Sequence, residues 1–143
     1  MLNRRNLLKS AAIAAAAVPG VSVFGQNESK KFSLGYAPHP GMFKNSAGKD
    51  VLDQIRFVAD QGFTAFEYNG LPNETPKMQE AIGNLLAQRN MQMGVFVAYG
   101  SFDKPTFARP DDQSTAEIMA AMKNAVEVAK RVGATWFTVV PGS

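Results

Sequence analysis

The chain has 143 residues, of which 45% are hydrophobic, and it contains no cysteine. This composition is typical of one globular domain and excludes intrinsic disorder, disulfides and thiolate metal sites. The net charge of +3 comes from Arg4, Arg5 and Lys9, because 12 basic residues face 12 acidic ones from Gln26 onward. That balanced remainder offers no electrostatic surface for nucleic acid or an anionic membrane.

Residues 1–25 are predicted to be an export signal. A charged start precedes an alanine-rich apolar stretch, a Pro-Gly pair and small residues at the expected cleavage point. Arg4-Arg5 followed by Asn-Leu-Leu-Lys is typical of a twin-arginine leader, whose pathway exports folded proteins. The alternative is a frayed alanine-rich helix with two chance arginines. We expect an exported, periplasmic protein with no membrane segment after cleavage, and a polar linker at 26–31.

Four apolar segments are predicted to be strands, with a helix between each and the next. The strands are expected at 32–37, 63–68, 91–99 and 135–140. The first predicted helix runs from Val51 to a cap at Gly62, and the second begins at Thr75 and Pro76, an N-cap followed by a proline at the first helical position. Its end is expected at Asn90, which tolerates the cap conformation.

The third predicted helix opens with the capping-box spacing of Ser114-Thr115-Ala116-Glu117 and stops at Gly133. Asp111-Asp112 just before it is expected to complement the positive end of the helix. The resulting β-α-β-α-β-α-β order predicts parallel strands covered by helices.

The loops favour an α/β barrel over an open sheet. Helix-to-strand turns are tight, whereas strand-to-helix loops vary in length, and the longest spans 101–113. In such barrels the loops after the strands build the active site. An open doubly wound sheet would also alternate, but no G-x-G-x-x-G follows the first strand. We predict a (β/α)8 TIM barrel, of which residues 32–143 supply strands 1–4.

Two polar residues are candidates for substrate binding. His39, the only histidine, lies between two prolines after the first predicted strand. It could contact the substrate, transfer a proton, or be a loop residue held rigid by the prolines. Glu67 lies inside the second strand, where an unpaired carboxylate is costly. We expect it to have a partner: a metal, a substrate hydroxyl, a basic side chain or, on the other face, a helix lysine.

Aromatic and charged residues near the strand ends are weaker candidates. Tyr99 is the third candidate substrate contact, because tyrosine rings line many sugar sites, although packing under loops is the alternative. Lys104 and Arg109 lie in the longest loop. They could bind an anionic substrate, and the alternative is that both are solvated loop residues. These residues do not make a complete catalytic set, so no catalytic residue is assigned.

The segments GFTAFEY, MQMGVFVAYG and WFTVVPG resemble the xylose isomerase-like barrel superfamily of sugar isomerases and epimerases. Within it they are most similar to the hydroxypyruvate isomerase group. The resemblance implies a divalent metal (Mg, Mn or Co) held by two glutamates, an aspartate and a histidine or glutamine. All of these ligands come from strands five to eight, so none is expected in this chain. It also implies proton transfer through an enediolate on a sugar or hydroxy-keto acid. By the same resemblance, Glu67 matches an acidic residue at the end of the second strand that helps to shape the barrel mouth, and His39 lies where first-loop substrate contacts fall.

Other functions remain open from the sequence. One is an exported, non-catalytic carbohydrate-binding barrel that kept the fold and lost the metal ligands. Another is a complete α/β interaction domain, whose two unpaired strand edges would need a second copy and so predict a homo-oligomer. A DNA-repair endonuclease on the same fold is disfavoured by the export signal and the balanced charge.

Overall fold

The computed structural model describes residues 31–141. The predicted leader at 1–25 and all but the last residue of the predicted linker at 26–31 lie outside the described residues. Within 31–141, no helix is long and apolar enough to cross a membrane.

Helices and short parallel strands alternate along the chain, which confirms the α/β class. The helices are α1 (Lys44–Ala47), α2 (Val51–Asp60), α3 (Pro76–Gln88) and α4 (Asp112–Val132), with a 3₁₀ turn at Leu71–Asn73. The strands are β1 (Ala65–Phe66), β2 (Gln92–Met93), β3 (Val97–Gly100) and β4 (Thr138–Val140). β1 pairs with β2 and β3 pairs with β4, both in parallel.

Backbone hydrogen bonds connect these two small sheets. The Tyr68 N–H donates to the Val95 carbonyl at 3.3 Å, beyond the end of β1. The Thr138 N–H donates to the Phe96 carbonyl at 2.9 Å, before β3 begins. On the other side of β1, the Glu67 N–H donates to the Pro38 carbonyl at 2.9 Å. The spatial order of the segments therefore follows their order in the chain.

The predicted strands are longer than the observed ones, and the first was wrong. Residues 32–37 are irregular, and the predicted strand at 91–99 is divided into β2 and β3. A register shift between Val97 and Tyr99 interrupts the pairing with β4. Pro38 and Pro40 have no N–H to donate, which limits pairing at the end of the first segment. Residues 31–141 form no closed barrel, and the finer prediction of a half-barrel is not confirmed.

The helix ends match the sequence more closely. Thr75 caps α3 by accepting from the Met78 N–H at 3.2 Å, as predicted. Gly62, Asn90 and Gly133 adopt positive φ angles of 92°, 53° and 67°, also as predicted for the three helix ends. The predicted start of the third helix was wrong, because Asp111 is its N-cap and Ser114 is already in its first turn.

The apolar core lies between the helices and the central strands. Its fully buried side chains include Phe66, Phe96, Ile55, Leu71, Ile82, Leu86, Val58 and Val128. The pair α3 and α4 approaches closely at Gly83, where an added Cβ would lie 2.2 Å from the Arg131 carbonyl oxygen. Gly83 therefore sets the distance between the two helices that cover the central strands.

Candidate functional site

His39 directly follows Pro38, whose carbonyl accepts from the Glu67 N–H just after β1. Its ring is exposed, and Nδ1 lies 3.0 Å from the Pro40 carbonyl oxygen. A carbonyl oxygen can only accept, so this hydrogen bond requires the proton on Nδ1. The neutral ring then presents Nε2 as a hydrogen-bond acceptor towards solvent.

The loop that follows His39 is fixed by a buried glutamine in the first half of α2. Gln54 is 4% exposed, and its Oε1 accepts from the Gly41 N–H at 2.7 Å. Its Nε2 donates to the Lys49 carbonyl at 3.2 Å. One side chain therefore joins the two ends of the loop 41–49. Sequence reasoning missed Gln54, because a polar residue on an amphipathic helix carries no mark of burial.

Glu67 is half-buried next to the same segment. Its Oε1 accepts from Asn69 Nδ2 at 2.8 Å. The expected partner is therefore a neighbouring amide, and the ion pairs of residues 31–141 do not include Glu67. Asn69 was also missed by sequence reasoning, although a polar residue at a strand end was the available signal.

The structure brings His39 and Glu67 close together through Asn69. A cavity of about 220 Å³ is lined by His39, Pro40, Tyr68, Asn69 and Gly70. Asn69 thus contacts Glu67 while lining the cavity beside the histidine. We call this cavity the histidine cavity.

Tyr68 also lines the histidine cavity. The Tyr68 hydroxyl donates to Glu74 Oε1. Burial and, to a lesser extent, this carboxylate raise the pKa of Tyr68 to about 12. The phenol therefore stays neutral at ordinary pH, and its hydroxyl is bonded to Glu74, which lies outside the cavity lining.

Tyr99 lies in a different cavity. It is on β3, and its ring meets that of Phe107 with centroids 6.1 Å apart. The residues around it, including much of the loop 101–111, line a partly open cavity of about 570 Å³, which we call the loop cavity. Of the three candidate residues, the structure therefore brings together His39 and Glu67 and places Tyr99 elsewhere on the same side of the strands.

The described residues do not fit a divalent metal by themselves. Within 31–141, no group of three or more His, Asp or Glu side chains converges as a metal site would require. The metal that the resemblance implies would therefore need ligands from outside this range. The expectation that strands five to eight supply those ligands stays a prediction.

Comparisons of this chain with models of protein families, with curated proteins and with solved structures gave no match.

Proposed function

We propose that the chain is the amino-terminal half of a (β/α)8 barrel. The observation that supports this is the spatial order of the parallel segments, which is the same as their order in the chain. An open doubly wound sheet reverses its strand order at a switch point, whereas a barrel adds each strand beside the previous one. His39 and Asn69 lie in the loops after their segments and Tyr99 lies near the end of β3, where barrel enzymes place their active sites.

We further propose that the full-length protein is a metal-dependent isomerase or epimerase of a sugar or hydroxy-keto acid. The resemblance suggests this reaction, and the polar groups of the histidine cavity suit a substrate rich in hydroxyls. His39 Nε2 accepts hydrogen bonds and the Asn69 amide donates, while the Glu67 carboxylate, outside the cavity lining, holds the Asn69 amide. These residues would bind and orient the substrate, because the described part of the chain holds no metal site.

Turnover by the full-length protein is the direct test. We expect isomerisation of hydroxypyruvate or a ketose in the presence of Mg²⁺, Mn²⁺ or Co²⁺. His39→Gln should mainly raise KM, since it alters a binding contact, while Lys123→Gln on the exposed surface of α4 serves as the matched control. Absence of metal-dependent turnover on every substrate would exclude the isomerase.

The coding DNA past codon 143 tests the half-barrel itself. We expect an open frame with about four further strand–helix units and acidic residues at their strand ends. A stop codon after Ser143 would instead leave a four-strand product. Light scattering would then decide whether two copies associate, as the exposed outer segments would require, or whether a monomer contradicts the proposal.

An exported, non-catalytic carbohydrate-binding barrel is the second candidate. It is favoured by the aromatic rings of Tyr68 and Tyr99, which lie beside polar groups near the strand ends. Rings of this kind pack against the apolar faces of ligands while polar neighbours fix orientation. Sugar binding without turnover, together with a second half that lacks two glutamates and an aspartate at its strand ends, would select this candidate.

Export by the twin-arginine route accompanies both candidates. We expect the chain in the periplasmic fraction, because its leader has the charged start and apolar stretch of an export signal. Replacing Arg4 and Arg5 with lysine should retain the precursor in the cytoplasm while preserving the charge. Unchanged periplasmic accumulation of this variant would contradict the route.

A further inference from the structure

Two buried glutamines occupy the same position in consecutive helices. Gln54 in α2 and Gln79 in α3 each lie four residues after the N-cap, and they are 4% and 2% exposed. Each Nε2 donates to the carbonyl of the residue just before the N-cap, Lys49 at 3.2 Å and Glu74 at 3.0 Å. The last helix differs, because Thr115 at the equivalent position of α4 is exposed. Among the described residues, this arrangement therefore belongs to the two helices whose preceding loops line the histidine cavity.

Gln54 is connected to the His39 ring through a single peptide group. The Gly41 N–H, which donates to Gln54 Oε1 at 2.7 Å, and the Pro40 carbonyl belong to the same planar unit. That carbonyl oxygen lies 3.0 Å from His39 Nδ1. Gln54 therefore orients the carbonyl that keeps the ring proton on Nδ1, and so it leaves Nε2 as an acceptor.

Gln79 is connected to the Tyr68 ring through the 3₁₀ turn. Its Nε2 donates to the carbonyl of Leu71 at 3.1 Å and to that of Glu74 at 3.0 Å, at the start of the turn and just after it. The Glu74 carboxylate accepts from the hydroxyl of Tyr68, whose ring lines the histidine cavity. Gln79 Oε1 accepts from Arg131 Nη1 at 3.0 Å. Because a guanidinium group only donates, this bond fixes which end of the Gln79 amide faces the turn.

We propose that Gln54 and Gln79 are positioning residues of the histidine cavity. Gln54 keeps His39 Nε2 an acceptor, so the site selects a ligand group that donates a hydrogen bond, such as a hydroxyl. Gln79 keeps the Tyr68 ring in place as a wall of the cavity. A site that is held in its binding geometry loses less conformational freedom when a ligand binds. The role in substrate binding rests on the proposed function, whereas the positioning is a property of the ligand-free protein.

Gln54→Met tests the connection to His39. Nitrogen NMR of the full-length protein, with the His39 signals identified by their loss in His39→Gln, reports which ring nitrogen carries the proton. At a pH where the ring is neutral, the wild type should show a protonated Nδ1 and an unprotonated Nε2. In Gln54→Met both signals should shift towards the average of the two tautomers, because the Pro40 carbonyl is no longer held. Gln88→Met on the exposed surface of α3 is the matched control and should leave them unchanged.

Gln79→Met tests the connection to Tyr68. Burial and, to a lesser extent, Glu74 raise the pKa of Tyr68 from 10.0 to about 12. Release of Glu74 should lower this pKa part of the way back, since burial of the ring remains. An NMR titration of the Tyr68 ring, with its signals identified in Tyr68→Phe, measures the shift. Gln88→Met should again show no change.

Replacement of each glutamine by glutamate distinguishes positioning from a general loss of stability. Gln54→Glu keeps the oxygen that accepts from Gly41, so the His39 signals should stay as in the wild type. Gln79→Glu keeps the oxygen that accepts from Arg131, and this guanidinium holds the new carboxylate ionised and balances its charge. The variant has no proton to donate to the turn, so it should lower the pKa of Tyr68 as Gln79→Met does. Should Gln79→Met fail to fold, Gln79→Glu supplies the same measurement.

The outcomes separate this proposal from the isomerase. With metal and hydroxypyruvate or a ketose, Gln54→Met and Gln79→Met should each raise KM about tenfold and change kcat little, as expected for one weakened binding contact. Shifted NMR signals without metal-dependent turnover support the positioning and remove the isomerase. Turnover with unshifted signals removes the positioning and leaves the isomerase. Shifted signals with an unaltered KM, or equal shifts in Gln88→Met, each overturn the proposal.

Discussion

The central and outer strand segments have similar compositions but very different surroundings. Phe66 in β1 and Phe96 before β3 are 1% and 0% exposed, because helices cover the central segments. Phe32 and Trp136 on the outer segments are 43% and 68% exposed. An apolar residue is buried only where a neighbouring element covers it. Within residues 31–141, the outer segments are also apolar in sequence, but these two side chains remain exposed.

The two regions are also held by different forces. The central segments depend on apolar packing, with α3 and α4 close together at Gly83. The first outer segment leads into the loop 41–49, which is joined by the two hydrogen bonds of Gln54. Substitutions in the central segments should therefore lower stability by changing the volume packed in the core. Substitutions near the first outer segment should lower it by leaving polar groups without hydrogen-bond partners.

Phe96→Ala should give the largest loss of stability. We expect it to lower the free energy of unfolding by about 3–5 kcal/mol, because it leaves a cavity at the centre of the core. Trp136→Ala is the matched substitution on the outer segment. It should change the free energy of unfolding by at most about 0.5 kcal/mol, since the indole is mostly in solvent. Denaturant unfolding measures both, and equal losses would refute the contrast between centre and edge.

Gly83→Ala should give the next largest loss. Alanine favours a helix, but its Cβ would overlap the Arg131 carbonyl and force α3 away from α4. Overpacking of this kind costs about 1–3 kcal/mol. Asn84→Ala, at the exposed next position of α3, controls for helix propensity. Thermal unfolding of Gly83→Ala at or above the wild-type Tm would show that the helices can separate freely.

Gln54→Met should have a smaller effect, confined to the first outer region. It leaves the Gly41 N–H and Lys49 carbonyl unpaired, at a cost of about 1–2 kcal/mol where the loop reaches water. Hydrogen exchange should become faster at Gly41 and stay unchanged in the core. Gln88→Met on exposed α3 is the control, and Gln54→Glu should protect Gly41 because it keeps the acceptor. Unchanged hydrogen exchange at Gly41 in Gln54→Met would show that the two Gln54 hydrogen bonds do not hold the loop 41–49.

Tyr68 should give the smallest effect, seen only at high pH. Its pKa rises from 10.0 to about 12 on folding, so the unfolded chain loses the phenolic proton first. The stabilisation is therefore fully present below pH 10 and is lost as the pH rises towards about 12. Unfolding free energies measured across this range should fall less steeply for Tyr68→Phe. Parallel curves for the two proteins would contradict the burial of the hydroxyl beside Glu74.

Much of the helical structure, but little of the candidate site, could be predicted from the sequence. Thr75 and Gly133 mark helix ends through their own side chain or backbone freedom, so local chemistry suffices. The predicted start of α4 at Ser114 was wrong, because Asp111, three residues earlier, caps the helix in the same way. The contacts of Gln54 and Asn69 were not predicted, since they depend on residues that only folding brings close.

The sequence by itself determined the α/β alternation and where most helices end, because helix hydrogen bonds, caps and breakers act within a few residues. The tertiary structure decided how far each strand extends, since pairing requires a distant segment in register. It also placed Glu67 next to the histidine cavity, through its bond to Asn69, and Tyr99 in the loop cavity. Apolar pattern gives each segment a face to bury, but only the packed neighbours decide whether that face is covered.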